Sequence, residues 1–130
     1  MMRVSMMLML VAASLMALAG TAAAHAKFSK AEPGPGSTLK VAPKTVRIWF
    51  SVSGTEELAP KLSAITVWDS RGRRVDDRKG SVDLTDMVRR SLITRLKPIG
   101  PGTYTVRWKA VSSEDKDVAQ GSFKFTVAKP

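Results

Sequence analysis

The protein has 130 residues and a formal charge of +10, because its 21 lysines and arginines outnumber its 11 aspartates and glutamates. At roughly 150 residues per domain, a chain of this length forms one domain at most. The absence of cysteine excludes disulfide scaffolds, thiolate metal sites and cysteine nucleophiles. A single histidine, His25, excludes any site that needs two imidazoles.

The start of the chain has the pattern of a secretory signal. Arg3 supplies a positive charge, an apolar run extends from Val4 to Ala19, and Ala22 to Ala24 are the small residues that a signal peptidase recognises. As a helix the run would cover about 24 Å, which is shorter than the ~30 Å hydrocarbon core of a bilayer. We therefore predict a signal peptide at residues 1–24, cleavage after Ala24 and an exported domain at residues 25–130. An exported protein does not meet the genome, so we expect no nucleic-acid partner.

From residue 26 onward, apolar and polar residues alternate in short runs that Pro- and Gly-rich turns separate. A period of two places one face of each strand in a core and the other in water. The pattern predicts strands at Ala26 to Lys30, Val46 to Phe50, Ile65 to Val67, Ser81 to Leu84, Ser91 to Leu96, Tyr104 to Trp108 and Phe123 to Val127. About seven short strands at this spacing indicate an all-β Greek-key sandwich of the immunoglobulin or cupredoxin type. Only Leu84 to Arg90 has the pattern of a short helix.

His25 becomes the first residue of the exported protein when cleavage follows Ala24. It then carries a free α-amino group, whose pKa is about 8, beside its imidazole, and a metal can displace the amine proton at neutral pH. Both nitrogens belong to one residue, so they can close a chelate ring on one ion. Two nitrogens completed by oxygens in a tetragonal plane suit Cu(II).

An acidic run from Ser113 to Asp117, which contains Glu114 and Asp115, directly follows the predicted strand that includes Tyr104 to Trp108 and ends at Val111. One interpretation is a solvated polar turn, in which side chains cap backbone amides. The other is a set of carboxylate ligands held between two core strands. His25, Glu114, Asp115 and Asp117 are therefore the candidate metal ligands of this sequence.

Several segments resemble the CopC family of periplasmic copper-resistance proteins. The segments are His25 to Phe28, Ala31 to Ser37, Val46 to Ser51, Gly102 to Ser112 and Gly121 to Val127. The resemblance implies a cupredoxin-like β-sandwich that binds Cu(II) through its N-terminal histidine and through an Asp and a His after the penultimate strand. It also implies a membrane copper transporter of the CopD type as a partner.

This sequence lacks the second histidine of the family pattern. Counted back from the last strand, the family's Asp and His positions fall on Asp115 and Asp117. Counted forward from the strand before it, they fall on Glu114 and Lys116. A carboxylate at the second position keeps an oxygen donor for Cu(II) but suits Cu(I) poorly. An ammonium at that position would repel the metal.

Two functions follow from these alternatives. The first is a monomeric, non-enzymatic protein of copper homeostasis or resistance that holds or delivers Cu(II), with no role for Cu(I). The second is a CopC-like sandwich that has lost its metal and serves as an accessory domain for a membrane copper transporter. A copper oxidase would need two imidazoles, and the sequence has one.

Basic clusters form a separate feature, at Arg71 to Arg74, Arg78-Lys79 and Arg89-Arg90. One interpretation is that they keep turns and edge strands soluble and unpaired. The other is attraction to an acidic membrane surface or an acidic partner. Trp49 and Trp68 are out of phase with the core residues of their strands, so they either share this surface or cover the second face of a sheet.

Overall fold

The computed structural model describes residues 26–130, which form two four-stranded β-sheets. The strands are β1 (Ala26–Glu32), β2 (Thr38–Leu39), β3 (Thr45–Val52), β4 (Ala64–Trp68), β5 (Ser81–Val82), β6 (Ser91–Arg95), β7 (Gly102–Val111) and β8 (Val118–Val127). One sheet has the order β1-β3-β6-β5 and the other the order β2-β8-β7-β4. All pairs are antiparallel except β2 with β8. The predicted all-β sandwich is confirmed, and the predicted signal peptide and His25 lie outside the described residues.

The alternation of side chains along the strands builds the core between the two sheets. In β3 the apolar residues Val46, Ile48 and Phe50 are buried, and the residues between them are not. The same period places Ile65 and Val67 of β4 inside. Because successive side chains of a strand point to opposite faces, each sheet offers one apolar face to the other sheet. No helix within residues 26–130 is long and apolar enough to span a membrane.

The predicted strands are present with shifted ends, and one strand was not predicted. β1 is an edge strand, as expected for the segment that begins at Ala26. β2, at Thr38–Leu39, pairs in parallel with the last two residues of β8. A strand of two residues is too short to show a period, so its position depends on its partner rather than on its own pattern.

Four aromatic rings connect the two sheets near the start of β1. The Phe28 ring lies 6.4 Å from Phe50, 6.2 Å from Trp108 and 5.9 Å from Phe123, measured between ring centroids. Phe50 and Trp108 are 5.0 Å apart and meet edge to face. Aromatic pairs in this geometry add about 0.5–1.5 kcal/mol each beyond the area that they bury. We call these four residues the aromatic cluster.

The predicted helix at Leu84 to Arg90 is wrong, because two aspartates turn this segment instead. The Asp83 carboxylate accepts hydrogen bonds from the amide and the hydroxyl of Thr85. The Asp86 carboxylate accepts the amides of Val88 and Arg90. Aspartate side chains that bind nearby amides compete with a helix and favour consecutive turns.

The two outward tryptophans do not share a surface. Trp49 lies on β3 and Trp68 on β4, so they belong to the outer faces of opposite sheets. The ammonium of Lys30 lies 4.6 Å from the centroid of Trp49. The guanidinium of Arg74 lies 5.3 Å from the ring centroid of Trp68. Each tryptophan therefore covers the second face of its own sheet beneath basic side chains.

Asp76 is a fully buried carboxylate that holds the segment after β4 against that strand. Arg74 donates two hydrogen bonds to it, at 2.7 and 2.6 Å. The amides of Val67 and Arg78 donate two more, at 2.7 and 2.8 Å. Burial favours a higher pKa for Asp76, but the hydrogen bonds from Arg74 and the two amides outweigh it, so the pKa lies below its ordinary value.

Asp76→Asn should lower the free energy of unfolding by about 3 kcal/mol at neutral pH, since it leaves the largely buried Arg74 without its charge partner. A depressed pKa contributes stability above the ordinary value of about 4, and this contribution is lost as the pH falls through the folded-state value. The unfolding free energy of the variant should therefore fall less steeply below about pH 4 than that of the native protein.

Urea denaturation followed by circular dichroism at several pH values measures this difference. Asp77→Asn is the matched control. The Asp77 carboxylate accepts one amide hydrogen bond, from Lys79, and Asp77 is not fully buried. Parallel curves for Asp76→Asn and the native protein would show that Asp76 does not contribute to acid sensitivity.

Candidate metal centre

One end of the sandwich gathers the segments that carry the predicted ligands. β1 begins there with Ala26, which is 2% exposed and pairs with Val52 at the end of β3. The aromatic cluster places β7 and β8 beside it, and the end of β7 pairs with the start of β8. We call this the Ala26 end. The 53–63, 83–90 and 112–117 loops meet there.

Backbone hydrogen bonds join these three loops. The amide of Leu58 donates to the carbonyl of Arg89 at 3.0 Å, which links the first loop to the second. The amide of Ser113 donates to the carbonyl of Glu57 at 2.9 Å, which links the third loop to the first. These hydrogen bonds hold the three loops together, so candidate ligands on separate loops keep fixed relative positions.

The 112–117 loop is a tight turn that its own polar groups close. The amide of Ser112 donates to the carbonyl of Asp117 at 2.9 Å, and the amide of Lys116 donates to the carbonyl of Ser112 at 3.0 Å. One carboxylate oxygen of Asp115 accepts the amide of Asp117 at 3.0 Å. Asp115 thus caps the turn, as the polar-turn interpretation predicts, whether or not it also binds a metal.

The candidate ligands of this loop differ in exposure. Glu114 and Asp115 are exposed, whereas Asp117 is half-buried. Lys116 has a positive φ of 61°, and its ammonium donates to the carbonyl of Ser113 within the same loop. The lysine is therefore held by the loop backbone, and among the candidate ligands of this loop Asp117 has the least contact with solvent.

Glu56 is a buried acidic residue at the Ala26 end that the sequence analysis did not identify. It is 6% exposed, and its backbone carbonyl accepts a hydrogen bond from the side chain of Arg90 at 3.3 Å. Glu56 and Leu58 are both buried, while Glu57 between them is exposed. The period of two applied to this short segment would have placed Glu56 inside.

The carboxylates of the described residues do not converge by themselves. Within residues 26–130, no three side chains of His, Cys, Asp or Glu lie close enough together to hold a metal ion. The described part of the chain also has a single methionine, Met87, which is 96% exposed. The remaining predicted ligand, His25, precedes the first described residue.

The chain belongs to the CopC family. The model of the CopC domain matches residues 28–128, which covers both sheets and all three loops of the Ala26 end. The resemblance noted in the sequence is thus confirmed. The described strands and loops therefore form a CopC domain.

Two curated relatives are similar over most of the chain. The copper resistance protein C of Xanthomonas campestris pv. juglandis is 31% identical over 122 residues, which are 91% of this chain and 90% of that protein. The copper transport protein CutJ of Bacillus subtilis (strain 168) is 32% identical over 115 residues, or 88% of this chain. The chain spans only 20% of the length of CutJ.

Two solved structures have the same fold. CopC from Methylosinus trichosporium OB3b aligns with a TM-score of 0.67 and 26% identity, covering 80% of this chain and 94% of that one. PcoC from Escherichia coli, described as a methionine-rich copper resistance protein, aligns with a TM-score of 0.63 and 26% identity, covering 80% of this chain and 99% of that one. The single methionine of residues 26–130 distinguishes this chain from a methionine-rich protein.

Gly121 permits the close contact between β8 and Trp108 that supports the Ala26 end. The two residues are cross-strand partners, and a Cβ atom at Gly121 would lie 2.7 Å from the Cζ2 atom of the Trp108 ring. Gly121→Ala should displace that ring from the aromatic cluster and lower the free energy of unfolding by about 1–3 kcal/mol.

Chemical denaturation measures the loss of stability, and near-ultraviolet circular dichroism reports the displaced ring. Gly100→Ala is the control, because a Cβ atom there meets nothing within 4 Å. Equal stabilities of the two variants would mean that the cluster relaxes around the added methyl group without cost.

Proposed function

We propose that this protein is a periplasmic Cu(II)-binding protein of copper homeostasis, which holds the ion at the Ala26 end without catalysing a reaction. Membership of the CopC family supports a copper-related role. The position of β1 supports the location, because its first residue lies at the end of the sandwich that carries the acidic loop. The processed protein acts as a monomer that delivers copper to a membrane transporter of the CopD type.

The nitrogen donors come from His25 after the signal peptide has been removed. His25 is joined to Ala26, so its Cα atom lies about 3.8 Å from that of a residue fixed in the sandwich. Cleavage after Ala24 adds an α-amino nitrogen to the imidazole. These two nitrogens supply the donors that the described carboxylates lack, which is why we assign the site to the start of the processed chain.

The oxygen donors come from Asp115 and Asp117, with Glu114 as the alternative for the first of them. The half-burial of Asp117 and the loop-bound ammonium of Lys116 support the count from the last strand. Glu56, buried at the same end, is a further carboxylate that we propose as a ligand. Two nitrogens and two or more oxygens fit Cu(II), whereas this set has no soft donor for Cu(I).

The processed protein should bind one equivalent of Cu(II), with nitrogen couplings in its electron spin resonance spectrum. His25→Ala should abolish stoichiometric binding, because it removes the imidazole half of the chelate. An added residue before His25 should also abolish it, because the α-amino group then lies on another residue. Isothermal titration and spin resonance measure both effects.

Equal affinity of the extended and the processed forms would disprove the N-terminal chelate. Failure of the processed native protein to bind Cu(II) would favour the other function, an accessory domain that has lost its metal.

The carboxylate donors can be separated by variants that conserve shape. Asp117→Asn should weaken Cu(II) binding more than Glu114→Gln does. Asp115→Asn removes the charge of the carboxylate but keeps an oxygen that can cap the loop. Glu56→Gln should weaken binding, whereas Glu57→Gln, on the exposed position beside it, should not. A loss confined to Glu114→Gln would instead support the count from the preceding strand, and equal effects at positions 56 and 57 would exclude Glu56 as a ligand.

A further inference from the structure

The outer face of the sheet β2-β8-β7-β4 carries cations and hydroxyl groups but no carboxylate along its three longer strands. In β7 the buried residues alternate with Thr105, Arg107 and Lys109, which point outward, and in β8 Ser122 and Lys124 do the same. No outward position of the described strands β4, β7 and β8 is Asp or Glu. We call the following residues the basic face: Trp68, Thr105, Arg107, Lys109, Ser122 and Lys124.

The strand register brings the three cations of the basic face together. Arg107 and Lys109 are two residues apart on one strand, a separation of about 6.8 Å between Cα atoms. Lys124 pairs with Thr105, so it is a diagonal neighbour of Arg107 at about 7–8 Å. All three cations are exposed. The potentials of like charges at these distances add together. The face therefore has a positive potential that attracts anions.

Trp68 extends the basic face toward the turn after β4. The guanidinium of Arg107 lies 5.4 Å from its ring centroid, and that of Arg74 lies 5.3 Å away. A shallow cleft of about 370 Å³ lies beside the ring, and Thr105, Arg107 and Lys124 are among its lining residues. Cations next to hydroxyl donors are the groups that bind phosphate oxygens.

Asp69 is the acidic residue of the turn that follows β4, and its carboxylate binds groups of that turn. Asp69 accepts the amides of Arg71 and Arg73, both at 2.9 Å, and pairs with the side chain of Arg73 at 3.2 Å. Arg71 is exposed at the tip of this turn and adds a further positive charge. The turn therefore enlarges the positive surface rather than neutralising it.

The opposite sheet has a different charge distribution on its outer face. Arg47 forms an ion pair of 2.7 Å with Asp83, and the cross-strand neighbour of Arg47 on β1 is Glu32. Asp77 lines the same cleft as Lys79 and Arg95. The two outer faces thus differ because β4, β7 and β8 present cations without acids, whereas the opposite face mixes its cations with acids.

We infer that the basic face docks the protein on an anionic phospholipid bilayer. The face is broad and open, and a flat row of cations can contact many headgroup phosphates at once but suits no compact ligand. Tryptophan favours the headgroup level of a membrane, and Trp68 lies at the edge of the face. The predicted export signal places the protein in a compartment that is bounded by membranes and holds no genome, which favours lipid over nucleic acid as the source of phosphate.

Co-sedimentation of the metal-free, processed protein with vesicles tests this inference. We expect binding to an equimolar mixture of phosphatidylcholine and phosphatidylglycerol, and none to phosphatidylcholine alone. Each basic residue at an anionic surface contributes about fivefold to partitioning, so the triple variant Arg107→Gln, Lys109→Gln, Lys124→Gln should bind about a hundredfold more weakly.

The matched control removes the same charge from the other sheet through Lys30→Gln, Lys79→Gln and Arg95→Gln. Charges on the far side of the sandwich are more than a Debye length of about 8 Å from the membrane, so this variant should bind nearly as well as the native protein. A third variant with Arg107→Lys, Lys109→Arg and Lys124→Arg keeps the charge and should keep binding. Thermal unfolding establishes that all three variants are folded.

Energy transfer from tryptophan to a dansyl-labelled headgroup tests the orientation. Trp108, the third tryptophan, is kept in both variants, and Trp68→Phe should reduce the transfer more than Trp49→Phe, on the opposite face, does. Equal losses in the two charge-removal variants, or equal transfer from the two tryptophans, would overturn the inference, as would the absence of binding to anionic vesicles. Tighter binding to soluble inorganic polyphosphate than to vesicles would assign the face to a soluble polyanion instead.

Discussion

The packing of the first strand across both sheets is the interaction on which the rest of the molecule depends. β1 is an edge strand with hydrogen-bonded partners only on β3, so pairing alone would leave its start open to fraying. Phe28 prevents this by contacting aromatic rings of β3, β7 and β8. The cluster therefore holds β1 against β3 in its own sheet and against β7 and β8 in the other sheet.

Four of the acidic side chains bind the backbone of turns. Asp69, Asp76, Asp83 and Asp86 all accept backbone amides, and each of them has a pKa below its ordinary value because hydrogen bonds to the carboxylate outweigh the effect of burial. These acids stabilise turns instead of facing solvent. The basic side chains, in contrast, remain mostly on the surface. The same turns thus account for both the shape of the loops and the positive exterior.

Most of the strand pattern was predictable, because a period of two is visible in any strand with one buried face. β3, β4 and β8 follow it through their whole described length, and β7 follows it until Ala110 and Val111, which are both buried. The exceptions arise from tertiary contacts. The two residues of β2 have no period of their own, and the turn at Leu84 to Arg90 depends on which atoms Asp83 and Asp86 bind, which an apolar pattern does not indicate.

The candidate site was predictable to a smaller extent. Residue types identified the acidic loop, and the predicted cleavage after Ala24 directed attention to His25, but neither indicated which carboxylates are buried. Glu56 was missed because it lies in a segment without a recognised strand, and its burial follows from the contacts between the 53–63 loop and its neighbours. The charge asymmetry of the two faces likewise required the strand register, since sequence alone does not show that Arg107 and Lys124 lie side by side.

The course of β8 has a practical consequence for any chimera of this domain. The strand starts at Val118 beside the 112–117 loop and ends at Val127, where it pairs with Gly102 and Leu39. Ten residues at about 3.4 Å per residue carry the chain roughly 30 Å away from the candidate ligands. A fluorescent or affinity tag joined behind Pro130 would start far from the loops that carry the candidate ligands, whereas a tag in front of His25 would block the amine that we propose as a ligand.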